Sequence, residues 1–199
     1  MNRRFVQTHT LESMLQPETP LEKTLLSVPD FRQGLLWGEP RFGHPEGTVA
    51  IHVKEVLDNI SLIPNLSATD RSHLRLIALA HDTFKYKEDR SRPRDWSKHH
   101  GVLARRFLEV YTREAVVLDV VETHDDAYYH WLSLNCNAAP RSINDLLDKV
   151  GYCLQVYYLF FKCDTQTGDK TQAPLRWFEK QMPNIEPVVL KPFWPWEKL

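Results

Sequence analysis

Apolar residues recur along this chain at helical intervals and nowhere settle into strand alternation. Val49, Ile51, Val53, Val56, Leu57, Ile60 and Leu62 predict a helix from about Thr48, started by the turn Pro45-Glu46-Gly47. The next helix is expected to begin near Ser67 or Thr69, where Ser67-Ala68-Thr69-Asp70 supplies capping side chains. It carries Leu74, Leu76, Ile77, Leu79 and Ala80 and ends at His81-Asp82, and a run apolar on so many sides predicts burial. Helical spacing resumes at Val102, Leu103, Phe107, Leu108 and Val110-Tyr111, again at Val116 to Val121, and again from Ile143 to Phe161. With only seven glycines, hairpin-rich β structure is not expected. The expectation is an all-α chain folded as a single domain over residues 1–199.

Two stretches break the pattern. From Phe84 to Trp96 the sequence is polar, dense in charge and holds Pro93, which predicts a loop of about a dozen residues. From Met182 to Leu199 there are four prolines together with Phe193, Trp194 and Trp196. That segment reads as an extended strap packed onto the domain by its aromatics, or else as a tail for a partner.

Composition narrows the picture. Apolar residues at 42% and charged residues at 26% mark a folded chain and not a disordered one. A formal net charge of -1 gives no global pull toward nucleic acid or membrane, so any attraction for an anion must be local. Nucleic acid is therefore not an expected partner. Cys136, Cys153 and Cys163 are odd in number and form no CxxC pair, which suits a reducing compartment. Neither a leader-like apolar segment nor an apolar run long enough for a membrane span is present, and a cytoplasmic protein is expected.

Against this background four positions put polar groups beside a core. His52 lies within a helix, His81-Asp82 ends an apolar one, and Asp164 falls near the end of the last long helix. Imidazole and carboxylate together suit a divalent ion, and two of each leave coordination positions open. The loop after His81-Asp82 adds Lys85, Lys87, Arg90, Arg92 and Arg94, and Arg105-Arg106 follow. Such charges can receive phosphate oxygens, or can decorate a solvated loop with Glu88, Asp89 and Asp95 partly neutralising them.

The order His52…His81-Asp82…Asp164 resembles the HD superfamily of metal-dependent phosphohydrolases, over roughly His44 to Lys170. HPEGTVAIHVKEVLD resembles the opening of the HD domain in bacterial tRNA nucleotidyltransferases, and Lys85 falls at the lysine of the superfamily's HD-x-x-K stretch. HHGVLARRFLEVY and ETHDDAY are similar to two further segments of the binuclear HD proteins, with His100 fitting better than His99, and His124 next in the series. That subgroup includes cyclic-dinucleotide phosphodiesterases, dinucleoside-polyphosphate hydrolases and a diiron inositol oxygenase.

The resemblance implies an HD-type helical bundle with its core at about 44–170. It implies one or two divalent ions, Mn, Fe, Co, Mg, Ni or Zn, held by His52, His81, Asp82, His100, His124 and Asp164, with Asp82 bridging. Asp82 and Lys85 become the catalytic candidates, with Lys85 reaching a phosphate. The implied reaction is phosphoester hydrolysis of a small substrate, a nucleotide above all, by a metal-activated water. Asp125 or Asp126 could position or deprotonate that water. Alternatives are a non-catalytic nucleotide-binding sensor or interaction module, motivated by the tail and by Tyr128, Tyr129 and Trp131, and a diiron oxygenase on the same scaffold. A homodimer stays open. His44 reads as a turn residue or a substrate-side one.

Overall fold

The computed structural model describes residues 10–40, 45, 47–136, 142–182 and 184–190. Among these the chain is all-helical, with no strand. His9, His44, Glu46 and the aromatics Phe193, Trp194 and Trp196 lie outside the described residues.

Three short helices open the chain: α1 (Leu11–Leu15), α2 (Pro20–Ser27) and α3 (Pro29–Leu35). Thr10 and Thr19 cap the first two through their side chains, and Pro20 and Pro29 occupy first-turn positions where a missing N–H costs nothing. The predicted helix from Thr48 is α4 (Val49–Ser61), and the one from Ser67 is α5 (Ala68–Ala80), capped by Ser67 Oγ. Then follow α6 (His100–Leu108), α7 (Ala115–Thr123) and α8 (Asp126–Asn135). The long helix expected from Ile143 to Phe161 is two: α9 (Ile143–Val150) and α10 (Leu154–Thr165), separated by a 3-10 turn at Gly151–Cys153. Gly151, the poorest helix former of that stretch short of proline, stands at the break. A last helix, α11 (Ala173–Gln181), lay outside the expectation.

Helix α5 is the hub. It packs against α4, α7 and α10, and its residues Leu74 to Ala80 are all buried. On α4, Val49, His52, Val53, Val56 and Ile60 share the buried stripe, so helical spacing carries His52 inward with its apolar neighbours. One continuous apolar cluster runs from Leu11 to Ile185 and includes Leu25, Leu26, Phe31 and Leu35 of the N-terminal helices. The apolar core thus draws in the N-terminal helices as well. Residues 184–190 form no helix and meet α10: Ile185 is buried, and the Val188 N–H donates to Tyr158 Oη at 3.1 Å. That much of the strap is packed onto the domain.

Arg75 interrupts the apolar face of α5. Its guanidinium meets Glu22 at 2.8 Å and Glu18 at 3.1 Å and donates to the Gln16 carbonyl at 2.9 Å. Arg75 and Glu22 are both almost fully buried. The three cysteines form no disulfide. Among the described residues no helix is long and apolar enough to cross a membrane.

Candidate metal centre

Six side chains far apart in sequence meet where the helices end. His52 comes from α4, His81 and Asp82 from the close of α5, His100 from the first residue of α6, His124 from the close of α7 and Asp164 from the last turn of α10. Close packing makes this convergence geometrically available. A Cβ on Gly101 would sit 2.8 Å from the Glu122 carbonyl oxygen, so only glycine lets α6 approach α7 one residue after His100. A Cβ on Gly34 would fall 1.7 Å from the Thr83 carbonyl oxygen, so α3 buttresses the turn beside His81-Asp82 for the same reason. Tyr157, fully buried on α10, pins the α7–α8 junction: its hydroxyl donates to the Thr123 carbonyl at 3.1 Å and accepts from the Ala127 N–H at 3.2 Å.

The donors fall into two sets. In the first, ligand atoms of His52, His81 and Asp164 all lie within 4.8 Å of one another. His52 Nε2 stands 3.2 Å from His81 Nε2 and 2.9 Å from Asp164 Oδ1. In the second, Asp82, His100 and His124 meet the same 4.8 Å limit, with His100 Nε2 3.1 Å from His124 Nε2. Asp82 faces both. Its Oδ2 lies 3.7 and 3.6 Å from the Nε2 atoms of His52 and His81, and its Oδ1 lies 3.3 and 3.6 Å from those of His100 and His124.

Tautomers sharpen the chemistry. His81 Nδ1 donates to the Ala78 carbonyl at 2.9 Å and His124 Nδ1 to the Val121 carbonyl at 2.8 Å. Thr167 Oγ1 spends its proton on the Asp164 carbonyl, so it accepts from His52 Nδ1 at 3.3 Å. With Nδ1 donating, Nε2 is the nitrogen each ring turns to the centre, and in the neutral ring it presents a lone pair there. Lone pairs and carboxylates crowded at about 3 Å repel unless positive charge lies between them. The buried His/Asp groups can therefore hold metal, and their donor set fits a divalent ion.

Protonation preferences follow the same logic. Burial pushes the Asp82 and Asp164 carboxyls up, but Lys85 and His81 beside the one, and Lys170 and His52 beside the other, hold both well below the usual range. Burial, with the Lys170 charge, depresses His52 to about 4. Burial also opposes charge on His124, yet Asp125 and Asp82 outweigh it and raise that imidazole to about 9. Lys85 sits 2.5 Å from Asp82 Oδ2, and despite its burial the carboxylates of Asp82 and Asp125 raise its pKa.

Three residues at the centre had weaker signals or none in the sequence. Asp125 Oδ2 stands 3.5, 3.4 and 3.6 Å from the Nε2 atoms of His99, His100 and His124, while Asp126 begins α8. Glu88, read as a loop charge, has a buried side chain whose Oε2 is 3.5 Å from His100 Nδ1. His99, set aside in favour of His100, is buried as well, and a third group of possible donors joins Glu88, His99 and His100. Their common signal was position, each being next to or near a candidate ligand.

Most of the basic loop turns elsewhere. Lys87 pairs with Asp30 at 2.7 Å, Arg90 and Arg94 pair with Glu88, and Arg92 is exposed. Arg105 bridges Glu109, Asp119 and Glu122. Of these, Lys85 is the one with a described contact to one of the six predicted ligands. Comparison of the chain with protein-family models, curated proteins and solved structures finds no match.

Proposed function

We propose that this protein is a metal-dependent phosphohydrolase of the HD type, cleaving a phosphoester of a small substrate, a nucleotide above all. The observation that carries the reading is the two-sided Asp82: one carboxylate oxygen faces each of two imidazole pairs whose Nε2 atoms converge. His52, His81, Asp164 and Asp82 would hold one divalent ion, and Asp82, His100 and His124 a second. Bound there, such ions supply Lewis acidity and make water a usable nucleophile near neutral pH.

The chain's own groups complete the arrangement. Lys85 keeps positive charge beside Asp82, where a phosphoryl group would bring negative charge. Asp125 Oδ2, 3.4 and 3.6 Å from the Nε2 atoms of His100 and His124, is placed to accept a proton from an attacking water. Lys87, Arg90 and Arg94 are engaged by carboxylates and Arg92 is exposed, so the reading asks for phosphate contact from Lys85 and not from the loop as a whole.

The protein loaded with Mn, Co, Fe or Mg is expected to release phosphate from members of a panel of nucleotides and sugar phosphates, and the Asp82→Ala variant to release none. Silence across the panel with metal verified in the protein overturns the reading.

A further inference from the structure

His99 is a buried imidazole for which the proposed chemistry has no use, being only 6% exposed. Its Nδ1 accepts from the Gly101 N–H at 3.2 Å, as part of the cap on α6. An accepting Nδ1 carries no proton, so the neutral ring holds its proton on Nε2. That is the opposite tautomer to His81 and His124, whose Nδ1 atoms donate to backbone carbonyls. A nitrogen bearing a proton cannot bind metal through a lone pair; it can only donate. His99 Nε2 has no hydrogen-bond partner, although Asp125 Oδ2 stands 3.5 Å and Glu88 Oε1 3.8 Å away. A buried donor left in that state costs stability until a ligand satisfies it.

The same residue opens onto a cleft. His99 lines a cavity of about 370 Å³ together with Trp96, Val102 and Arg106. That volume lies in the range of small-molecule sites. Trp96 gives the wall an indole, stacked on the Arg94 guanidinium at 4.5 Å, and Arg106 and Lys149 add cations alongside the carboxylates of Glu122 and Asp126. His99 thus stands where the cleft meets the metal centre.

We infer that His99 binds substrate and not metal: its Nε2–H donates to a phosphoryl oxygen, while the cleft takes a planar ring attached to that phosphoryl group. The inference rests on the phosphohydrolase reading and narrows it to phosphoesters with an aromatic or nucleobase substituent. A ring against Trp96 gains stacking that any nucleobase can supply.

The test uses the metal-loaded full chain, with inorganic phosphate and a nucleoside monophosphate as probes in calorimetry and metal counted by mass spectrometry. His99→Phe keeps a ring without the donor and is expected to hold its full metal while phosphate affinity falls about tenfold or more. His99→Gln restores an N–H and should recover most of that loss. Trp96→Ala is expected to weaken the nucleoside monophosphate about tenfold and leave inorganic phosphate unchanged. If circular dichroism shows His99→Phe unfolded, His99→Ala replaces it with the same expectation. Loss of metal from a folded His99 variant would make it a ligand, and full metal with unchanged phosphate affinity would remove the donor role. Either result sinks the inference and leaves the phosphohydrolase reading standing. An unchanged nucleotide affinity in Trp96→Ala overturns the cleft assignment. If the metal-loaded wild type binds neither probe, the phosphohydrolase reading fails and the inference falls with it.

Discussion

The Glu22–Arg75 pair and the centre around Asp82 both bury charge against α5, yet they resolve that charge in opposite ways. At Arg75 each cationic nitrogen meets a carboxylate or a backbone carbonyl, so the cluster is closed on itself. At Asp82 no such closure is reached: imidazole nitrogens lie 3.2 and 3.1 Å apart across two pairs, with two carboxylates among them. Lys85 and Lys170 offset part of that negative charge, each from its own side. The lesson is that burial of ionic groups does not by itself mark a site. What marks one is a sign imbalance that the chain leaves for something else to complete.

The largest expected effect comes from removing the shared carboxylate. Asp82→Ala should leave the dialysed protein with metal at background by plasma mass spectrometry, because both donor sets lose a member at once. Retained metal would mean the two sets are not a metal centre. Next is Glu22→Ala, which buries Arg75 without its nearest counter-charge and should cost about 3 kcal/mol in urea unfolding, the low end for a broken buried pair, because Glu18 still stands 3.1 Å away. Metal stoichiometry of the folded Glu22→Ala protein should match wild type, and a loss of metal would show that the two clusters are coupled. Chelation comes third. With free metal at a hundredfold its Kd, removing it should lower stability by about 2.7 kcal/mol for each ion bound, and by the same increment in Glu22→Ala if the clusters act independently.

How far the sequence revealed each cluster follows from their chemistry. His81-Asp82 and Asp164 stood out because long apolar runs lead into them, and the eye catches a polar group at the end of a buried helix. His52 sat in phase with Val49 and Val56, so its inward direction was readable too. The closed cluster was not. Glu22 and Arg75 are 53 residues apart, and Arg75 reads as an exception within an apolar face until α2 is folded over it. The helices α1 to α3 were missed because each is eight residues or fewer, too short for a 3.6-residue period to declare itself. Within the centre, adjacency defeated the sequence. His99 and His100 differ by one position, and their roles separate only through which ring nitrogen meets a backbone amide. The loop from Lys85 to Trp96 has no periodicity, so nothing local told Lys85, which turns inward, from Lys87, which pairs with Asp30.

The smallest effect tests whether the two halves of the centre are supported separately. Glu88 Oε2 faces His100 Nδ1 at 3.5 Å, on the side of the ring away from His124, and Arg94 holds the carboxylate from behind. Burial raises the Glu88 carboxyl, but His100, His99 and Arg94 together bring it down to about 2, so it is ionised at any pH where the protein would be assayed. A carboxylate behind a ligating imidazole orients the ring and strengthens its donor nitrogen. Glu88→Gln keeps the volume and removes the charge. One metal equivalent should then bind about tenfold more weakly, read by competition with a chelator, while the equivalent at His52, His81 and Asp164 keeps its affinity. The sign with pH is fixed by the depressed pKa: the difference between Glu88 and Gln persists from alkaline pH down through the ordinary glutamate range and vanishes only as the pH approaches about 2. Equal weakening of both equivalents would show one cooperative site in place of two halves joined at Asp82, and no weakening would confine Glu88 to anchoring the loop through Arg94.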